Sequence, residues 1–170
     1  HMGVFNSTLF SNLQDSGQFA MTPKTVMPLH IPQQAADFKG GAQGYSLPDW
    51  SGPPVNTNYL AFGYTAVTNG QLVLYGWLFD VRQANLSSAN IFGKVYTGTL
   101  DEAGARSVAQ QFAADILKNF GATGLVGTKI YFTSDRTGHK EIWSMDYDGA
   151  NQKQVTFYRN ISTFPVVSPD

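Results

Sequence analysis

The spacing of apolar positions changes along the chain, and each change predicts an element. Residues 6–16 read as a short helix. Leu9, Phe10 and Leu13 fall on one face at i, i+1 and i+4, Asn6 or Ser7 can accept a hydrogen bond from a free backbone N–H at the start, and Gly17 can take the left-handed conformation that stops a helix. Residues 19–22 then predict a strand. From 23 to 58 the periodicity vanishes. Pro23, Pro28, Pro32, Pro48, Pro53 and Pro54 each remove a backbone donor and block helix interiors, and Gly40, Gly41 and Gly44 add conformational freedom. A brief helix over 33–38, with Pro32 at its first position, interrupts an otherwise irregular stretch whose Gly-rich part is read as mobile.

A period of two follows. Residues 59–67 and 71–82 are strands, joined by Asn69-Gly70, a pair that adopts the positive φ angles of a two-residue hairpin turn. Residues 91–97 supply a third antiparallel strand. In the second strand Leu72, Leu74, Gly76, Leu78 and Asp80 face one side, and Val73, Tyr75, Trp77, Phe79 and Val81 the other. Both sides are largely apolar, which predicts a central strand with a helix layer on at least one face. Thr99 with Glu102 three residues later forms a capping box opening the longest helix; Val108, Phe112 and Ile116 recur every four residues, with Leu117 and Phe120 beside them, Lys118 in the last turn and Gly121 ending it.

Beyond a short linker at 123–128 the chain turns to short strands, at 129–134, 141–145 and 153–157. Asp135-Arg-Thr-Gly138 and Asp146-Tyr-Asp-Gly149 supply the turns between them. Short strands with repeated Asp/Gly turns suggest a sandwich, a barrel or a propeller blade. The fold class expected is α/β (α+β): a mixed or mostly antiparallel sheet covered by two helices over residues 3–122, then an incomplete propeller blade over 129–170.

Composition narrows the function. Charged residues make up only 14% of the chain, against roughly 25% in ordinary soluble domains, so its surface relies on Ser, Thr, Asn and Gln. The net charge of −1 provides no cationic footprint for nucleic acid and no polybasic membrane anchor. With no cysteine there can be no disulfide, thiolate metal site or cysteine nucleophile. No apolar run approaches the roughly 20 residues of a bilayer span, so direct membrane insertion is not expected. His1-Met2 reads as a cloning scar, and both ends of the sequence read as cut.

The segment from Lys129 to Thr156 carries a specific pattern. A strand ends in Ser134-Asp135, and a strand Ile142-Trp-Ser-Met-Asp146 follows. Then come the Asp148-Gly149 turn, the Asn151-Gln152 pair and a closing Val155-Thr156; Pro165, Ser168, Pro169 and Asp170 match the opening of a further unit. This resembles the repeat of TolB-type β-propellers, a repeat shared with propellers of serine peptidases and other exported proteins. Upstream, Leu13-x-Asp-Ser-Gly-x-Phe19 and the order hairpin, third strand, long helix, Gly-rich link, first blade are similar to the N-terminal α/β domain of the TolB family.

The resemblance implies a non-enzymatic periplasmic scaffold of a Tol-Pal-like system. Such a scaffold works by protein–protein interaction, supporting outer-membrane integrity and cell division and serving colicin (bacteriocin) import. It implies Pal-like and TolA-like partners for the full-length protein, with both main interfaces outside this chain, so no protein-binding residue can be carried over. The incomplete blade leaves self-association of the chain open. The competing reading is the propeller of an exported serine peptidase or hydrolase, or a ligand-sensing exported propeller.

Catalytic and ligand-binding readings are weaker than bland ones. Ser134, Asp135 and His139 are near in sequence, but turn chemistry explains them; His30 stands alone in a Pro-rich loop, and no serine has a strand–elbow–helix context. Asp146-x-Asp148-Gly149 lacks the further ligands of a calcium loop, and Gly121, Gly124 and Gly127 follow a helix rather than precede one, as a phosphate loop would need. The expected catalytic, metal and cofactor sites are therefore none. Trp77, Phe79, Phe92 and Tyr96 read as core, while Trp50 in the Pro-rich loop has a minority reading as an exposed anchor.

Overall fold

The computed structural model describes residues 2–122 and 126–168. The chain divides into two compact units, His1–Gly124 and Leu125–Asp170.

The first unit is built on the predicted hairpin. Strands β1 (Tyr59–Thr68), β2 (Gln71–Asp80) and β3 (Asn90–Gly98) form an antiparallel sheet in the order β1-β2-β3. Thr68 pairs with Gln71, and Asn69 and Gly70 between them both have positive φ, 51° and 73°. That turn twists with its strands and fixes the register of every pair behind it. β2 is central, as its two apolar faces require. Helices α1 (Met2–Asp15) and α4 (Glu102–Asn119) pack on each other, and α4 lies on β2 and β3. Two short helices, α2 (Pro48–Ser51) and α3 (Leu86–Ala89), complete the unit.

The contact between α4 and the sheet depends on a glycine. A Cβ at Gly76 would stand 3.1 Å from the Phe112 ring, so the bare backbone makes room for that side chain. Phe112 also meets Tyr96 and Phe92, at ring-centroid distances of 5.6 and 6.2 Å. Val108, Phe112, Ile116 and Leu117 are buried, as their four-residue recurrence predicts.

Other details depart from the expected pattern. α4 is capped by Asp101, not Thr99: the Asp101 carboxylate accepts from Gly104 N–H at 2.7 Å, and Thr99 instead donates its hydroxyl to that carboxylate. A carboxylate two residues closer to the free amides is the better acceptor. α1 starts at Met2, within the residues read as a cloning scar, so Asn6 and Ser7 lie inside it. Its buried stripe is Phe5, Thr8, Asn12 and Leu13, while Phe10 is exposed. Residues 19–22 form no strand. Pro23 bounds them, and Phe19 packs edge-on against Phe120 at 5.1 Å instead of joining a ladder. Residues 33–38 hold only a 3-10 turn, Ala35–Asp37, closed by reciprocal bonds between Gln34 and Asp37.

The largest departure concerns the Pro-rich stretch. It lies on the sheet face opposite α4, where Phe38, Leu47, Trp50 and Val55 bury themselves with Leu60, Phe62, Phe79 and Val81. An irregular segment thus does the work of a second helix layer.

In the second unit, β4 (Lys129–Ser134), β5 (Glu141–Asp146) and β6 (Lys153–Gln154) form another antiparallel sheet, in the order β4-β5-β6. The two Asp-to-Gly turns close with Gly138 N–H donating to Asp135 O and Gly149 N–H to Asp146 O. β6 stops at Gln154 rather than running to Phe157. The N–H groups of Val155 and Thr156 both aim at Ile142 O, at 2.8 and 3.3 Å, which breaks the ladder. The sheet is neither a closed barrel nor a propeller. Pro169 and Asp170, and part of the linker at 123–128, lie outside the described residues.

Candidate functional site

The polar groups singled out in the sequence are engaged in local structure. Ser134 Oγ accepts from Arg136 Nε at 2.8 Å, and the Arg136 guanidinium lies 4.4 Å over the Trp143 ring and bonds to Gln152. The serine oxygen is therefore turned to a guanidinium in its own turn, and His139 is exposed. His30 lies 5.6 Å from the Tyr45 ring, in the loop.

Asp146 and Asp148 point apart. Asp146 is 1% exposed; it pairs with Lys129 Nζ and accepts from Asn151 Nδ2 at 2.7 Å. Asp148 is exposed and accepts from Ala150 N–H at 3.0 Å. One carboxylate holds the hairpin base and the other shapes its tip. Among the described residues no group of three or more His, Cys, Asp or Glu side chains could hold a metal ion. Of the three glycines at 121, 124 and 127, Gly124 lies outside the described residues; Gly121 and Gly127 have positive φ and follow α4.

Two carboxylate nodes escape sequence reading altogether. Glu141, at the start of β5, is 1% exposed. It accepts from the Thr156 hydroxyl and, at 2.6 Å, from Arg159 N–H, while Ile142 N–H donates to Thr156 Oγ1 at 2.9 Å. These bonds hold the extended backbone after β6 against β5. The hydrogen bond from Thr156 is the main cause of a lowered Glu141 pKa, opposed by burial and helped by the Arg159 and Tyr158 amides and the His139 charge. The second node is Asp115 on α4, which accepts from Tyr96 Oη at 2.8 Å and from Lys94 Nζ at 2.9 Å, tying β3 to α4. Burial pushes its pKa up, but the bonds from Lys94 and Tyr96 outweigh that and leave it lowered; the Tyr96 phenol, buried beside a carboxylate, is raised. No short spacing links Glu141 to Thr156 or Asp115 to Tyr96, so only the fold reveals them.

Trp50 is not an exposed anchor. It is 1% exposed, and its indole N–H donates to Gly44 O at 2.9 Å. A large ring with a satisfied polar tip is core, and it pins the Gly-rich part of the loop. Phe79 and Tyr96 are buried as expected, and Trp77 and Phe92 are half-buried.

The chain's relatives bear on its role. No family model matches it. A TolB homolog of Chlorobaculum tepidum is 32% identical over 164 residues, which is 96% of this chain and 34% of that protein. The Tol-Pal system protein TolB of Geobacter sulfurreducens is 32% identical over 170 residues, 99% of this chain and 38% of its own length. The chain is a relative of TolB. It spans about a third of the length of these TolB proteins, and the aligned region runs through both units. A crystal structure of TolB from Acinetobacter baumannii shares the fold, with a TM-score of 0.59 over 91% of this chain and 36% of that one, at 17% identity. The Geobacter protein is by name a component of a Tol-Pal system. No helix among the described residues is long and apolar enough to cross a membrane.

Proposed function

We propose that the chain belongs to a non-enzymatic periplasmic scaffold of a Tol-Pal-like system, which acts by holding other proteins and not by transforming a substrate. The observation carrying this reading is the continuous similarity to TolB proteins over 96–99% of the chain, through both units. The polar groups support it, since the serine, histidine and carboxylates that could suggest chemistry serve turns and strand junctions. In this reading residues 3–122 are the N-terminal α/β domain, 123–128 the linker and 129–170 the first part of a propeller. Outer-membrane integrity, septum constriction and colicin import are the processes served, with a Pal-like lipoprotein and a TolA-like protein as partners. The test is capture with the tagged full-length protein from a crosslinked periplasmic extract. Recovery of a Pal-like or TolA-like protein is expected; recovery of neither, at normal expression, overturns the reading.

The second unit extends it to contacts between copies. Phe157, Tyr158, Ile161, Phe164 and Val166, in the irregular segment after β6, are 70–93% exposed, an unusual run of apolar surface for so short a segment. Sedimentation of the chain should show mass rising with concentration; a monomer throughout counts against self-association.

A further inference from the structure

The face of the first sheet opposite α4 carries a row of aromatic rings that is covered at one end only. Phe62 and Trp77 stack at 5.8 Å and 18°, Trp77 and Tyr64 at 6.2 Å and 27°, and Tyr64 and Tyr75 at 4.9 Å and 13°. At the Phe62 end the chain's own segment 23–58 sits on the row through Phe38, Trp50 and Val55, with Trp77 packed at its boundary. Beyond that boundary Tyr64 and Tyr75 are only half-buried, and Val95 beside them is 57% exposed. A Cβ at Gly93 would stand 2.6 Å from Cδ1 and Nε1 of Trp77, so the glycine lets the indole lie across β3 and keeps the strip level.

The chemistry of the open half is uniform. Every second residue from Leu60 to Ala66, Val73 to Phe79 and Gly93 to Thr97 faces this side, and none is charged. The Tyr64 and Tyr75 hydroxyls and Trp77 Nε1 make no hydrogen bond to any described residue. The open half therefore offers apolar ring surface, unengaged neutral donors and no electrostatic preference. The covered half shows what such a surface accepts: an irregular segment containing six of the chain's eight prolines, seated without any strand pairing to the sheet.

We propose that the open half of this aromatic strip binds a second segment of the same chemistry, an extended, uncharged, proline-rich peptide of a partner protein. Proline fixes φ in advance, so little ordering entropy is lost on docking, and its carbonyls are exposed acceptors for tyrosine and indole donors. The row's rings face one another and turn their edges and polar tips outward. That geometry favours peptide carbonyls over a neutral sugar, which stacks on an open ring face. The proposal does not depend on the Tol-Pal reading.

The probe is decaproline, titrated into the 170-residue chain and followed by tryptophan fluorescence and amide hydrogen exchange. A saturable change is expected, with protection gained in β1, β2 and β3 around Tyr64, Tyr75 and Val95. Val95→Asp, at an exposed position, should weaken binding about tenfold with an unchanged melting temperature, and the Tyr64→Phe, Tyr75→Phe double variant, which keeps both rings, should also weaken it. No saturable change in the unmodified chain overturns the proposal, as does equal affinity in both variants. Saturation by chitotriose but not by decaproline overturns it in favour of a glycan surface.

Discussion

The two sheets have the same topology and opposite interiors. β2, central in the first, buries Leu72, Leu74 and Leu78 on one side and Val73 and Phe79 on the other. β5, central in the second, buries Glu141, Ser144 and Asp146 with Ile142 as the single apolar member, and unit 2 leaves its larger apolar side chains after β6 exposed. Apolar burial is non-directional and sums over area; buried carboxylates contribute only while each bond to them is made. The first unit should therefore resist acid and fail through cavities. The second should fail through loss of particular hydrogen bonds.

The sharpest way to break the contrast is a charge in the first interior. Phe112→Asp removes a ring whose deletion alone costs roughly 3–5 kcal/mol and leaves a carboxylate without a partner. Unit 1 is expected to unfold, seen as loss of amide protection across β2 and α4 while β5 keeps its own. An unchanged melting temperature would refute the packing of α4 on the sheet. Trp50→Ala should follow at about 3–5 kcal/mol, since it deletes a buried ring and its bond to Gly44. Its particular mark is exchange of the amides over 40–58. If that loop stays protected, the Pro-rich segment is held by something other than its tryptophan.

In the second unit the matching change is Glu141→Gln, which keeps the shape and removes the charge. The folded-state pKa of Glu141 is lowered, with the Thr156 hydrogen bond as its main cause. Its contribution is thus complete above the ordinary glutamate value of about 4.3 and disappears as pH falls through the lower folded value. Amides 156–159 of the unmodified chain should lose protection in acid, and the variant should lose that dependence. Equal pH slopes in the two would remove Glu141 from the latch. Asp115 in unit 1 is shifted in the same direction, but there the surrounding apolar packing should hide its release.

The same contrast explains what the sequence disclosed. Elements coded by local pattern were legible: the Asn69-Gly70 hairpin, the two apolar faces of β2, the Val108–Phe112–Ile116 stripe and the Asp/Gly turns. The TolB kinship was legible too, because the Ile142-Trp-Ser-Met-Asp146 repeat compresses strand and turn chemistry into a short window. What depends on distant partners was hidden. Trp50 sits among prolines that signal only the absence of regular structure, and its burial requires the opposite sheet face to be vacant. Glu141 looks like a solvent-facing strand residue until Thr156 and Arg159 return to it. The start of α1 and the Asp101 cap were misread because several neighbouring residues could each serve as caps, and only the helix phase chooses among them.

The smallest effect is the most discriminating. Gly70 has φ of 73° and nothing within 4 Å of where a Cβ would go, so Gly70→Ala adds backbone strain of about 1 kcal/mol and changes no contact. Gly138, in the turn between β4 and β5, is equally open with φ of 89°, and alanine there should cost a similar amount. Equal strain should nevertheless be read out differently. A sheet cemented on both faces unfolds as one body, so Gly70→Ala should lower the melting temperature of unit 1 by a few degrees and raise exchange evenly along β1 and β2. A sheet held by separate polar bonds can relieve strain at one end, so Gly138→Ala should speed exchange near Ser134 and leave the Lys129–Asp146 end protected. If both variants exchange evenly, the two interiors are equally cooperative and the distinction between them is one of composition alone.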